Sequence, residues 1–392
     1  VPDMPMPLMA PGETRSYDFA PRPGTFWMHS HVVTHEMRLL AAPLIVRTAE
    51  DLTEDRQEVV LFLHDFSFKT PEEVLAEITA GGAPHGGEAA GTMPMGGMQG
   101  MDQGAASGMQ MGNMAGMGGM AMDLNDYNWD AYLANDRTLS DPEVVQVERG
   151  GRIRLRVINA AAATVFSIDT GAVLARLIAV DGDRVQPISG TRFGLAMAQR
   201  MNFEIDLPGE GGAWPILARR EGARNRTGII LATPGAEVRR IDALADTDAP
   251  AFDTDLAQEA QLVALHPLAE RPVDRSQMIM LGGSMQPYVW TINGAVWGQH
   301  QPIAARSGER VSLTFHNMSM MGHPMHLHGH VFQVVGLNGR RVIGALRDTV
   351  YVPPIAMVEI ALDVGEAAPW LLHCHHMAHM VTGMMTEFAV TA

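Results

Sequence analysis

Between Trp370 and Met385 the chain carries His373, Cys374, His375, His376 and His379, followed by Met384 and Met385. Cys374 is the only cysteine in 392 residues, so no intrachain disulfide can form. A cysteine flanked by two histidines, with a third histidine at 379 and a methionine at 384, has a spacing that packing does not explain. A thiolate, imidazoles and a weak axial thioether are the ligand set of a blue-copper site. On a strand, Cys374 points to one face while His373 and His375 point to the other. One tripeptide can therefore bind a copper on one face and pass electrons to a second metal centre on the opposite face.

Upstream lies a complement made of His323, Met325, His326, His328 and His330, and a third cluster, Phe26, Trp27, Met28, His29, Ser30 and His31, sits near the start. Together the three resemble the copper-binding motifs of the multicopper oxidases, the family of laccases, cuprous oxidases and copper-resistance oxidases. The resemblance implies that His323, Cys374, His379 and axial Met384 hold a type 1 copper. It implies that His326 is a type 2 ligand and that His29, His31, His328, His373 and His375 are type 3 ligands. The family holds four copper ions, takes one electron at a time at type 1 copper, and reduces dioxygen to water at the other three. Cys374, His373 and His375 are then the residues of the electron path.

The family pattern has a further motif, His-Trp-His-Gly, before the Phe26 cluster, but only 28 residues precede His29 and none is histidine. Residues 1–50 therefore read as the C-terminal remnant of a first cupredoxin domain. A turn at Ala10 to Glu13 is expected to enter a strand at Ser16 to Phe19, and Ala42 to Val46 resembles the family's closing strand. A whole domain of this kind needs on the order of 100 residues. The sequence is expected to be a fragment, with a clipped protein or completion by a second chain as the other readings.

The remainder is expected to be all-β, built from tandem cupredoxin-like Greek-key β-sandwich domains. Residues 51–235 form the second domain, 236–259 a linker and 260–392 the third domain. Glu58 to Leu63 is an apolar run of strand length, and Thr70, Pro71 and Glu73 spell a capping box opening a helix. Arg152 to Val157 and Met201 to Leu207 alternate polar with apolar residues, which predicts half-buried strands. Thr227 to Leu231, Tyr288 to Gly294, Arg310 to Phe315 and Val358 to Asp363 complete the pattern of short strands. The seven acidic residues from Ala236 to Glu259 predict a linker over the surface. A net charge of −16 argues against nucleic acid and anionic membranes as partners, and no apolar run is long enough to span a bilayer.

From Gly81 to Met122 the sequence is low in complexity and rich in Gly, Ala and Met. Its ten methionines are Met93, Met95, Met98, Met101, Met109, Met111, Met114, Met117, Met120 and Met122. Such a segment buries too little apolar surface to offset its ordering entropy. Thioethers select Cu(I), so this is read as an arm that captures that ion, against a loop packing loosely over the second domain. The resemblance adds that cuprous and copper-resistance oxidases carry similar insertions.

Eight of the 16 histidines are accounted for by the motif ligands. His330 and His376 are expected to support the ligands or to be structural; His35, His64, His85, His266, His300 and His316 follow no pattern, His85 being read as a solvated loop histidine ahead of a helper in metal capture. Asp348 is a candidate proton donor, with a salt bridge to Arg347 or Arg341 as the alternative. Two reductants fit, Cu(I) and phenols, with dioxygen as acceptor. The rival function is a copper-binding, electron-accepting protein without a complete oxygen-reducing cluster. The resemblance implies a periplasmic or otherwise exported protein, its signal lying upstream of this sequence.

Overall fold

The computed structural model describes residues 9–32, 34–80 and 124–392. His85 and the ten methionines from Met93 to Met122 lie outside the described residues. Two β-sandwiches and a two-stranded ribbon account for the described fold, and no described helix is long and apolar enough to cross a membrane.

The first sandwich pairs a six-stranded with a five-stranded sheet. Its central strands, Gln57–Phe66, Arg152–Asn159 and Arg200–Asp206, run side by side. The expected capping box is present: Thr70 accepts from the Glu73 amide and Glu73 from the Thr70 amide, starting the helix Pro71–Thr79. The second sandwich faces a seven-stranded sheet against a five-stranded one, and the latter places His323–Leu327 beside Pro369–Cys374. The ribbon is Gly24–His29 paired antiparallel with Ala41–Val46.

Three sequence expectations change, one of them at Met201 to Leu207, which is buried throughout except Asp206 rather than half-buried. Ser16 to Phe19 is not part of a strand, although the turn before it forms, with Glu13 N donating to Ala10 O. Tyr17 and Phe19 stand exposed there, without the strand pairing that a β-segment requires. Arg152–Asn159 is buried on both faces apart from Arg152, not half-buried. Arg154 pairs with Asp51, Glu54 and Glu204, and Arg156 with Asp51 and Glu58, so the polar face of the strand is neutralised and covered.

That polar face carries the ribbon. Arg156 Nη1 donates to Thr25 Oγ1 (3.0 Å), Thr25 and Asn202 pair at 2.6 Å, and Arg200 Nε donates to Thr25 O (3.2 Å). Beside these bonds, Trp27, Ala41 and Ile45 pack on Phe62, Ile158 and Ala160. Phe26 lies so close to Gly182 that a Cβ there would meet its ring at 2.5 Å, and Gly182 also has φ +90°. Both conditions call for glycine.

The acidic stretch 236–259 is pinned more firmly than its composition predicts. Ala249, Leu256 and Glu259 are buried, and Glu221 Oε1 accepts from Phe252 N at 2.5 Å. Burial raises the Glu221 carboxyl to about 7, the Phe252 amide only partly offsetting it. A raised carboxylate binds its proton more tightly in the folded state, so its stabilisation is complete below the unfolded value and fades as pH climbs through 7. Glu221→Gln keeps the acceptor without the charge. Denaturant unfolding is expected to show it more stable than wild type by about 3 kcal/mol at pH 8, with no gain at pH 4.

Candidate metal centre

Strand pairing builds the centre. In the antiparallel pair His323–Leu327 and Pro369–Cys374, Met325 stands opposite Cys374 and His326 opposite His373. Directly opposed residues share a face, so two sets of ligand-type side chains emerge on opposite sides of the sheet. Met325, Leu372 and Cys374 turn into the core of the second sandwich. His326 and His373 turn outward, towards the ribbon and the first sandwich.

On the inner face, Cys374 Sγ lies 3.8 Å from His323 Nδ1 and 3.7 Å from His379 Nδ1, and the two imidazole nitrogens are 3.1 Å apart. All three residues are buried, as is Met384, whose carbonyl accepts from Cys374 N (3.0 Å) and whose amide donates to His379 O (2.9 Å). His323 Nε2 is held 2.8 Å from Ser319 Oγ, leaving Nδ1 directed at the thiol. Trp290 packs over His379 with ring centroids 4.1 Å apart. His379 Nε2 looks the other way, 3.4 Å from Asp126 Oδ2, and Tyr288 donates to the same oxygen. Burial works against charge on Asp126, but the imidazoles of His379 and His376 beside it and the Tyr288 hydroxyl outweigh it, holding the carboxyl at about 2.

On the outer face six imidazoles converge. His328 Nε2 is 3.1 Å from His373 Nε2, and His31, His328 and His373 offer three nitrogens to one point. The ribbon brings His29 and His31 to within 5.0 Å of His375 and 4.7 Å of His328 between ring centroids. His326 lies 5.5 Å from His373 and 4.8 Å from His328 by the same measure. His326 Nδ1 donates to Asp348 O (2.8 Å) and His373 Nδ1 to Cys374 O (3.0 Å), so each presents Nε2 inward. This is how ligating imidazoles are generally fixed.

Burial, followed by the neighbouring imidazoles, drives His328, His373 and His375 well below the ordinary histidine value and His31 to about 3. Free-base imidazoles are metal ligands, whereas burial pushes the Cys374 thiol upward. A thiol raised in this way ionises when a cation is bound beside it. Buried nitrogens without hydrogen-bond partners at His375 Nδ1 and His379 Nε2 add to the same picture. One sulfur with two nitrogens, and a separate nest of imidazoles, is a donor set that fits copper.

Other expectations divide. His330 is structural as expected, since Nδ1 donates to His328 O (3.0 Å) and Nε2 accepts from Gly365 N (3.1 Å). His376 stacks on His379 at 3.9 Å. The anticipated partners of Asp348 are wrong. Arg347 is taken by Glu259 and Asp181, and Arg341 by Glu359. Asp348 instead accepts two bonds of 2.6 Å from Arg200, which reaches across from the first sandwich. Sequence reasoning missed Arg200, Asp126 and Glu36, because each is brought to the site by tertiary folding. Glu36 alone left a local signal, five residues beyond His31.

Models described as multicopper oxidase match residues 58–234 and 270–392. Multicopper oxidase MmcO of Mycobacterium tuberculosis is 31% identical over 387 residues, covering 97% of this chain and 71% of the relative. The chain belongs to the multicopper oxidase family. A Copper resistance protein A homolog of Pseudomonas syringae pv. tomato is 24% identical, covering 100% of this chain and 81% of the relative. Among solved structures, a multicopper oxidase that functions in iron import aligns with TM-score 0.71 at 13% identity, covering 94% of this chain and 72% of the other. A laccase from Botrytis aclada aligns with TM-score 0.68 at 18% identity, covering 94% and 70%. These likenesses establish the cupredoxin-like fold. This multicopper oxidase is accordingly an oxidoreductase that binds copper and uses dioxygen with a reduced substrate.

Arg200→Met leaves the buried Asp348 carboxylate without its cation. The apoprotein is expected to lose about 3 to 5 kcal/mol of stability in denaturant unfolding. The conservative Arg200→Lys recovers only part of it, because an ammonium cannot reproduce the two-pronged pairing.

Proposed function

We propose that His323, Cys374 and His379, with Met384 as axial donor, hold a type 1 copper. In the same reading His326 belongs to a type 2 copper, and His29, His31, His328, His373 and His375 belong to type 3 coppers. When bound, the metal supplies one-electron oxidation at the Cys374 face and four-electron reduction of dioxygen to water at the imidazole face. The observation carrying this reading is the hydrogen bond from His373 Nδ1 to Cys374 O at 3.0 Å, which joins the two faces within two residues. Division into 1–50, 51–235 and 260–392, with 236–259 as connector, remains part of the proposal.

The chain's residues supply the rest. Cys374, His323 and His379 are sealed by Trp290, Met325 and Met384, which keep water from the thiolate. Ser319 orients His323; the Asp348 carbonyl orients His326. Asp126 Oδ2 lies 3.4 Å from the outward nitrogen of His379 and places a carboxylate behind that imidazole. Arg200 keeps Asp348 ionised, which removes it from the role of proton donor suggested by sequence. Burial raises that carboxyl, but the Arg200 charge beside it outweighs burial and holds it below the usual range.

For the reductant we favour Cu(I), because the methionines from Met93 to Met122 precede Asp126 directly in sequence. Phenols are the second reading. An exported, periplasmic location fits a copper-resistance role and is part of the same proposal.

Copper content and an electron paramagnetic resonance spectrum of the loaded chain test the assignment. Type 1 and type 2 signals together support it; a type 1 signal from a single copper restricts this chain to electron acceptance. Deleting residues 93–122 is expected to abolish most Cu(I) oxidation while phenol oxidation persists or rises. Equal loss of both activities would remove the arm from substrate choice.

A further inference from the structure

The seven-stranded sheet of the second sandwich carries a further set of soft donors on the side turned away from the core. Three neighbouring strands lie in the order Arg275–Met285, Arg310–Asn317 and Met357–Asp363. Ile279, Leu281, Phe315 and Val358 fill the core, so the residues that alternate with them face outward. In the strand registers Met280 stands beside His316, and His316 beside Met357. One row across the outward face therefore reads methionine, histidine, methionine. We propose that Met280, His316 and Met357 form a surface binding site for a soft monovalent cation, Cu(I). The site is separate from both ligand sets of Pro369–Cys374, which belong to the other sheet, and does not rest on their assignment.

Adjacent strands lie about 4.8 Å apart, a gap that a thioether and an imidazole on neighbouring strands can bridge to a shared ion. Met278, 51% exposed, precedes the row on the same face. Met318, 57% exposed, follows it, and its amide donates to Leu281 O (2.9 Å). Four thioethers and one imidazole thus share one end of the face. The rest of it is polar, with Ser276 beside Ser312 and Thr314 beside Glu359 in the same registers.

Packing does not account for methionine at these positions. Strand residues that face water are ordinarily β-branched or polar, and the pliancy of methionine is of use inside a core. Among the described residues the His316 imidazole makes no hydrogen bond or ion pair that would give it another task. The carboxylate of the adjoining row is already engaged, since Glu359 Oε1 accepts from Ser312 Oγ (2.8 Å) and Arg341 Nη1 (3.2 Å). Thioether and imidazole are the donors left over. Thioethers select Cu(I) and imidazole also suits copper, whereas calcium and magnesium require oxygen.

The test titrates the full chain, its methionine methyl groups isotope-labelled, with Ag(I) as a redox-inert stand-in for Cu(I), and follows the methyl resonances by NMR. Met280→Leu and Met357→Leu identify the two resonances, and unchanged denaturant unfolding shows that these variants fold. The resonances of Met280 and Met357 are expected to move together and to saturate with a single bound ion. His316→Gln is expected to weaken that response by about tenfold or more, at least the loss seen when only the support of a ligand is removed. Competition against a Cu(I)-specific chelator under argon is expected to rank wild type and the variants in the same order. Resonances of Met280 and Met357 that stay in place while other methionines respond would overturn the proposal. A response in His316→Gln equal to that of wild type would also overturn it.

Discussion

The alternation of side chains along Pro369–Cys374 is the constraint on which the site depends. Cys374 must be inside the sandwich and His373 outside it, because adjacent strand residues cannot share a face. Pairing with His323–Leu327 in a register that sets Met325 against Cys374 and His326 against His373 doubles the arrangement. A slip of one residue would exchange the faces of the whole strand and dissolve both sets. The buried Leu327 and Leu372, opposed in the same register, resist that slip through apolar packing.

The outer set requires more than one strand pair, because its imidazoles come from the ribbon as well as the second sandwich. Charged groups fix their relative position. Arg200 donates to Thr25 in the ribbon and to Asp348 beside His326, while Arg347 joins Asp181 of the first sandwich to Glu259. Burying such groups carries a desolvation penalty, so their net contribution to stability is small. Their geometry is directional, however, and that is what holding six imidazoles in one place demands.

Most of the fold, and the histidines and cysteine that the structure brings together, were legible in the sequence because they depend on local spacing. Cys374 with its flanking histidines, the His323 cluster and the capping box at Thr70 are all short-range patterns. Arg152–Asn159 was read correctly as a strand but wrongly as half-exposed, since alternation cannot reveal that Asp51, Glu54 and Glu58 cover the arginines. The Asp348 partner failed for a related reason. Arg347 and Arg341 are near in sequence, yet the partner that won is Arg200, 148 residues away. Asp126 and Glu36 acquire their surroundings only when separate elements pack.

The most direct test of the account is anomalous diffraction at the copper edge from crystals of the loaded protein. The account predicts one peak on the inner face among Cys374, His323 and His379, and separate peaks on the opposite face among His29, His31, His326, His328, His373 and His375. Copper confined to one face of Pro369–Cys374, or bound chiefly at Asp126 and His376, would contradict it.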